Sequence, residues 1–256
     1  MSASTVSRLL VEDPAHTFFE REPSGRSKRG GIQAGAWPSH IYKTVSRWAE
    51  RCSGSTRYTN DLPLSLDEEK PFRELFAGYL LRAYHYTRLL EHERAMVLNM
   101  GLRLLSVELL SDRIESARMV GAISGAEAAE FHQAHVFATS EQQNREGQVC
   151  LSLSRRVFER DMEACRPLLE TWGGEGMYMS SGAVSQRERL KTLGSPTIVV
   201  ALIELGGQRS NHLVFPALHR VFVGALLGLL DVGADVSYRA PVPSEHIESL
   251  EEIALQ

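Results

Sequence analysis

The stretch AYHYTRLLEHERAMVLNMGLRLLS, residues 83–106, changes its period partway through, and that change sets the fold class. Up to Arg88 it alternates and is rich in aromatic and β-branched residues, which predicts a strand with Ala83, His85 and Thr87 on one face. From Leu90 to Met100 the spacing is helical, and Gly101 stands where a helix C-terminus places glycine. A strand running into a helix excludes an all-α reading. The question it raises is why a histidine lies between two tyrosines on a strand. Two answers stand: a satisfied core histidine, or a group that grips a nucleotide.

Working outward, the pattern stays mixed. Before the strand, Ser65–Glu69 supplies capping residues and Pro71 a first-turn position. Phe72, Leu75, Phe76, Tyr79 and Leu80 then follow at helical spacing. Beyond it, Ser106 caps a helix to Val120 that stops at Gly121, and Ser124 with Glu127 forms a capping box opening a helix through about Phe137. Gly147–Ser154 reads as a strand, Arg155–Trp172 as a helix kinked or split at Pro167, and Ser195–Leu205 as a buried central strand. His219–Leu230 is ambiguous between strand and buried helix. Residues 235–243 suit an edge strand, since their prolines cannot serve a central ladder. The acidic tail EHIESLEEIALQ, residues 245–256, is expected to be a solvated helix end. The class is α+β.

The chain has 256 residues, 43% hydrophobic and 23% charged, which suits a globular fold with a sizeable core. Residues 1–60 carry nine Lys/Arg and five Asp/Glu, whereas the remainder carries 19 and 27. The basic cluster REPSGRSKRGG, residues 21–31, is read as a solvated segment or a contact for phosphates. Only Ser39–Cys52 looks helical within residues 1–64, which are expected to be a partly flexible extension to a domain of residues 65–256. The longest apolar run, Val221–Leu230, is ten residues long, short of the ~20 that a membrane helix needs. Three scattered cysteines, no CxxC pair and no apolar leader predict a cytoplasmic protein without a membrane partner.

Several residues have chemistry to offer. His85 and Thr87 share a strand face, so an imidazole and a hydroxyl would hold a ribose or an amide by directed hydrogen bonds. Arg88 beside them offers a forked grip on phosphate. In WGGEGMYMSSG, residues 172–182, Gly173, Gly174 and Gly176 admit close backbone approach, and Trp172 and Tyr178 flank Glu175. A carboxylate beside flat rings suits a planar ligand with developing positive charge; a plain turn, feeding a short strand, is the simpler alternative. His132 and His135 lie at helical spacing without a third metal ligand and are read as surface histidines, and no metal is expected. Cys150 reads as a small core residue.

The order YHYTR…GL, then GEGMYMSS, then PTIVVALIELGG resembles the ADP-ribosyltransferase superfamily of His-Tyr-Glu type, over roughly Ala83 to Pro243, and WGGE resembles an element of its bacterial members. The resemblance implies a split mixed β-sheet preceded by the helical N-terminal extension, and NAD as substrate. It implies His85 on the nicotinamide ribose with Thr87 beside it, Tyr178 stacked on nicotinamide, and Glu175 as the catalytic carboxylate. Trp172, Gly174 and Arg88 would complete the NAD pocket. In that family the glutamate follows the tyrosine, whereas Glu175 precedes Tyr178. Glu204 or Glu245 is therefore an alternative carboxylate, and Ser152 or Ser154 an alternative to the tyrosine. The implied activity is ADP-ribose transfer to protein, RNA or DNA by a toxin, toxin–antitoxin or phage-defence effector, with an antitoxin or chaperone as possible partner. NAD glycohydrolysis and a non-catalytic nucleotide or ADP-ribose binding module are the rival readings.

Overall fold

The computed structural model describes residues 18–20, 39–52, 71, 74–75, 79–138, 146–153, 155, 162–178, 184–204 and 235–255. It is α+β, with β1 (Phe18–Glu20), α1 (Ser39–Cys52), β2 (Tyr79–Leu89), α2 (Glu91–Met100), α3 (Val107–Met119), α4 (Gly125–Ala134) and β3 (Val149–Ser152) in its first part. There follow α5 (Met162–Glu170), α6 (Glu175–Tyr178), α7 (Val184–Lys191), β4 (Ser195–Glu204), β5 (Asp235–Tyr238), a single 3-10 turn (Ser244–His246) and β6 (Ile247–Glu252). The strands form a six-stranded sheet in the order β5-β3-β2-β4-β6, with β1 paired to β2. β1 with β2, β2 with β3 and β4 with β6 are antiparallel. Among the described residues, no helix is long and apolar enough to cross a membrane.

The chain gathers into two compact units, each made of discontinuous segments. One comprises the described residues within Met1–Tyr84, Cys150–Arg160 and Leu202–Tyr238. In it β1 pairs in the register Phe18↔Leu81, and Tyr84 of β2 opposes Ser152 of β3. The other comprises the described residues within His85–Val149, Asp161–Ala201 and Arg239–Gln256. Its apolar centre is built from Ile114, Ala117, Ile123, Ala128, Phe131, Trp172, Met177, Leu190 and Leu193. These side chains come from α3, α4, the segments joining them, and the region around α6 and α7.

Most elements follow their local signals. The strand expected from Arg82 is β2, but it starts earlier, at Tyr79. Tyr79 and Leu80 therefore leave the expected helical stripe; its Leu75 is helical, as are residues 71 and 74. Both faces of β2 are covered, with Ala83 and Thr87 buried on one and Tyr84 and Tyr86 on the other. β4 is buried continuously from Thr197 to Ile203, as an inner strand requires. β5 lies at one end of the sheet, as expected, but it stops at Tyr238, before Pro241 and Pro243. Pro167 lies within α5, which runs unbroken from Met162 to Glu170. The ambiguous segment His219–Leu230 lies outside the described residues.

The tail departs from expectation. It is a strand, β6, paired with β4 from Thr197↔Glu252 to Ala201↔Ile247, with an irregularity between Val200 and Ala201. Backbone groups along the outer side of β4 need partners, and the tail supplies them despite the poor strand preference of its glutamates. Glu248 and Glu252 are exposed on this end strand, where charge discourages pairing with another chain.

Candidate functional site

The residues singled out by the resemblance fall mainly in the second unit, around the end of β2 and the Trp-Gly-Gly-Glu turn. Both ends of that arrangement have local causes. β2 finishes at Leu89, and α2 begins at once because the Glu93 carboxylate reaches back to accept the Leu90 N–H at 2.8 Å, half of a capping box. At its far end Gly101 takes φ 81°, and its N–H donates to the Val97 carbonyl at 2.8 Å. A Cβ there would lie 1.9 Å from the Val242 carbonyl oxygen, beside the Leu102↔Val242 bridge. The Gly-Leu pair thus has a packing reason of its own.

His85 is half-buried on β2 and Thr87 is buried. Arg88 is used structurally. Its Nε donates to the Leu193 carbonyl at 2.7 Å and one Nη to the Leu169 carbonyl at 3.3 Å. Burial pulls its pKa down, and the Glu170 carboxylate pulls it back up. Two of its five N–H donors are thus held on carbonyls.

The glycine-rich turn is not followed by a strand. Gly173 and Gly174 adopt φ 86° and 52°, and the chain then enters a single helical turn, α6, holding Glu175 and Tyr178. Left-handed backbone at two consecutive positions is what glycine permits. Gly173 has a second reason: a Cβ there would lie 2.1 Å from Met177 Cγ, so the missing side chain makes room for Met177. The side chains of Glu175 and Tyr178 lie outside the described residues, as does Ser154.

Trp172 was expected to flank a ligand, and it is instead a core residue, 1% exposed. Its Nε1–H donates to Glu93 Oε2 at 2.8 Å. The Arg113 guanidinium lies 5.2 Å from its ring centroid, and Phe131 packs at 6.2 Å. An indole enclosed in this way anchors the turn and offers no open face to a planar ligand.

Sequence reasoning passed over the two residues that organise this region, Glu93 and Arg113. Glu93 is 4% exposed, and its other oxygen accepts the Arg113 Nε–H at 2.6 Å. Arg113 also donates to the Arg88 carbonyl at 3.2 Å. A buried carboxylate persists only when its charge is matched and its lone pairs are used, and both conditions hold here. The only local signal was the position of Glu93 three residues after Leu90, which predicts a cap but not a second, distant partner.

The remaining candidates are dispersed. Glu204 ends β4, and its carbonyl accepts the Tyr238 hydroxyl at 3.3 Å within the first unit. Glu245 is exposed on the 3-10 turn, and Ser152 is buried on β3. Cys150, read as a core residue, is of intermediate exposure on β3. His135, expected on the surface, is buried at 5%. Its Nδ1 accepts the Ala138 N–H at 3.2 Å, and burial, then the nearby His132, lowers its pKa. A neutral imidazole accepting a backbone N–H explains why it is enclosed. No group of three His, Cys, Asp or Glu suited to a metal occurs among the described residues.

Comparison of the chain with protein-family models, curated proteins and solved structures gives no match.

Proposed function

We propose that this chain is an NAD-dependent ADP-ribosyltransferase, built on an antiparallel sheet where the resemblance implied a split mixed one, acting in the cytoplasm as an effector on a protein or nucleic-acid acceptor. One observation carries the reading. The strand bearing His85 and Thr87 is tied to the segment bearing Glu175, by Arg88 on the Leu169 carbonyl and by Glu93 on the Trp172 indole. Two sequence elements far apart in the chain, each suggestive alone, thereby become neighbours in one unit.

The chemistry follows the resemblance. His85 and Thr87 would orient the nicotinamide ribose, and Tyr178 would stack on nicotinamide. The bond from ribose C1′ to nicotinamide breaks, and nicotinamide leaves with the bonding pair. Glu175 would hold the ribose 2′-hydroxyl and stabilise the positive charge growing at C1′. An acceptor oxygen or nitrogen then bonds to C1′ and gives up its proton. Trp172 takes no direct part, since its ring is enclosed in the core.

Labelled NAD incubated with the protein and a cell lysate tests this. Label is expected in one macromolecular fraction, and Glu175→Gln should lower incorporation by ~10²–10³-fold while NAD still binds. His85→Ala should lower it as well. Label found only in free ADP-ribose would make the chain a hydrolase. NAD bound but left intact would leave a binding module, and the transferase reading would fall.

A further inference from the structure

We propose that Glu93 is a positioning residue that fixes the Trp-Gly-Gly-Glu turn through the Trp172 indole. Its kinetic consequence rests on the NAD-cleaving reading above; its structural consequence does not.

The argument starts from cost. A carboxylate shut away from water needs strong compensation, and three donors converge on Glu93: Leu90 N–H and Trp172 Nε1–H on one oxygen, and Arg113 Nε–H on the other. A cap alone needs only the first. The other two bind the carboxylate to α3 and to the turn, so its position is fixed from three directions. Trp172 is the last residue before the two left-handed glycines. Its backbone N–H is held by the Leu190 carbonyl at 3.1 Å, and its ring by Glu93, Arg113 and Phe131. Two glycines separate this anchored residue from Glu175, and they have the widest conformational choice of any residue. Their freedom is removed at both ends: by Trp172 before them, and after them by the Val136 N–H donated to the Gly176 carbonyl at 2.9 Å. Loss of the bond from the indole to Glu93 would loosen that anchor and let the turn sample other directions. A shift of ~1 Å in a reacting group can cost 10²-fold in rate.

Glu93→Gln and Trp172→Phe, singly and together, test the proposal in the full chain. The first removes the charge, and the second removes the indole donor while keeping an aromatic ring. In NAD cleavage each is expected to lower kcat by ~10-fold or more with KM within about twofold, and the double variant should be little worse than the weaker single, because both break one connection. In hydrogen exchange, the amides of residues 173–178 should exchange ~10-fold faster in each variant, with those of β4 unchanged. If the wild-type chain cleaves NAD but both variants keep its kcat and its protection, the positioning role is overturned and the functional reading stands. If the chain does not cleave NAD, the functional reading falls and exchange alone decides: selective loss of protection in the turn upholds the role, and uniform loss or none overturns it.

Discussion

Residues 91–134 and residues 162–194 belong to one compact unit, yet different forces set their backbones. In the first stretch each helix is opened by a residue within one turn of its start. Glu93 serves α2, the Ser106 hydroxyl accepts the Leu109 N–H at 3.1 Å for α3, and Ser124 with Glu127 forms a complete capping box for α4. Gly101 and Gly121, both at positive φ, end the first two. In the second stretch the decisive bonds arrive from far along the chain. Arg88 holds the carbonyls of Leu169 and Leu193, and Glu93 holds Trp172 from 79 residues away. Local devices write themselves into sequence as short motifs. Long-range ones leave only an ordinary glutamate or arginine.

On that contrast, the largest loss comes from Glu93, a buried carboxylate that serves both stretches. Glu93→Ala would leave Arg113, the Trp172 N–H and the Leu90 N–H without their acceptor, and should destabilise by ~3–5 kcal/mol in urea unfolding. Next come the glycines, which sharpen the comparison because they share a positive φ but differ in surroundings. Gly101→Ala meets the Val242 carbonyl at 1.9 Å, whereas nothing lies within 4 Å of a Cβ at Gly121. Gly101→Ala is expected to cost ~2–4 kcal/mol, from backbone strain plus overpacking. Gly121→Ala should cost only the ~1–2 kcal/mol of the left-handed backbone. Equal losses in thermal unfolding would refute the close approach at Gly101.

A purely local device should cost less again. Ser106→Ala removes one cap and should lower stability by ~1 kcal/mol, with Thr at that position recovering most of it. The smallest effect is electrostatic. Glu127 accepts the Ser124 N–H, and together with Arg189 this holds its folded pKa at about 2. Because that value is depressed, its contribution is complete above the unfolded pKa of ~4.3 and disappears as pH falls toward the folded one. The group is only half-buried, so the gain is small and screened by salt. The stability gap between wild type and Glu127→Gln should therefore be open at pH 6 and closed near pH 2, as read by denaturant unfolding.

Legible in the residues alone were the α+β class, the strand at residues 83–88, the buried strand β4, the glycine that ends α2, and the caps of α3 and α4. Each of these follows from a period or a spacing within about ten residues. The sequence also marked the Trp-Gly-Gly-Glu element, but assigned Trp172 to a ligand and expected a strand after the turn. Only tertiary structure decided that Trp172 belongs to the core, because Glu93, Arg113 and Phe131 enclose it from other elements. Only tertiary structure made the acidic tail a strand, because the unpaired side of β4 requires backbone partners whatever side chains bring them. The difference is one of range: a cap or a period is complete within its own segment, whereas a buried charge or a sheet edge is satisfied by whichever distant residues the fold delivers.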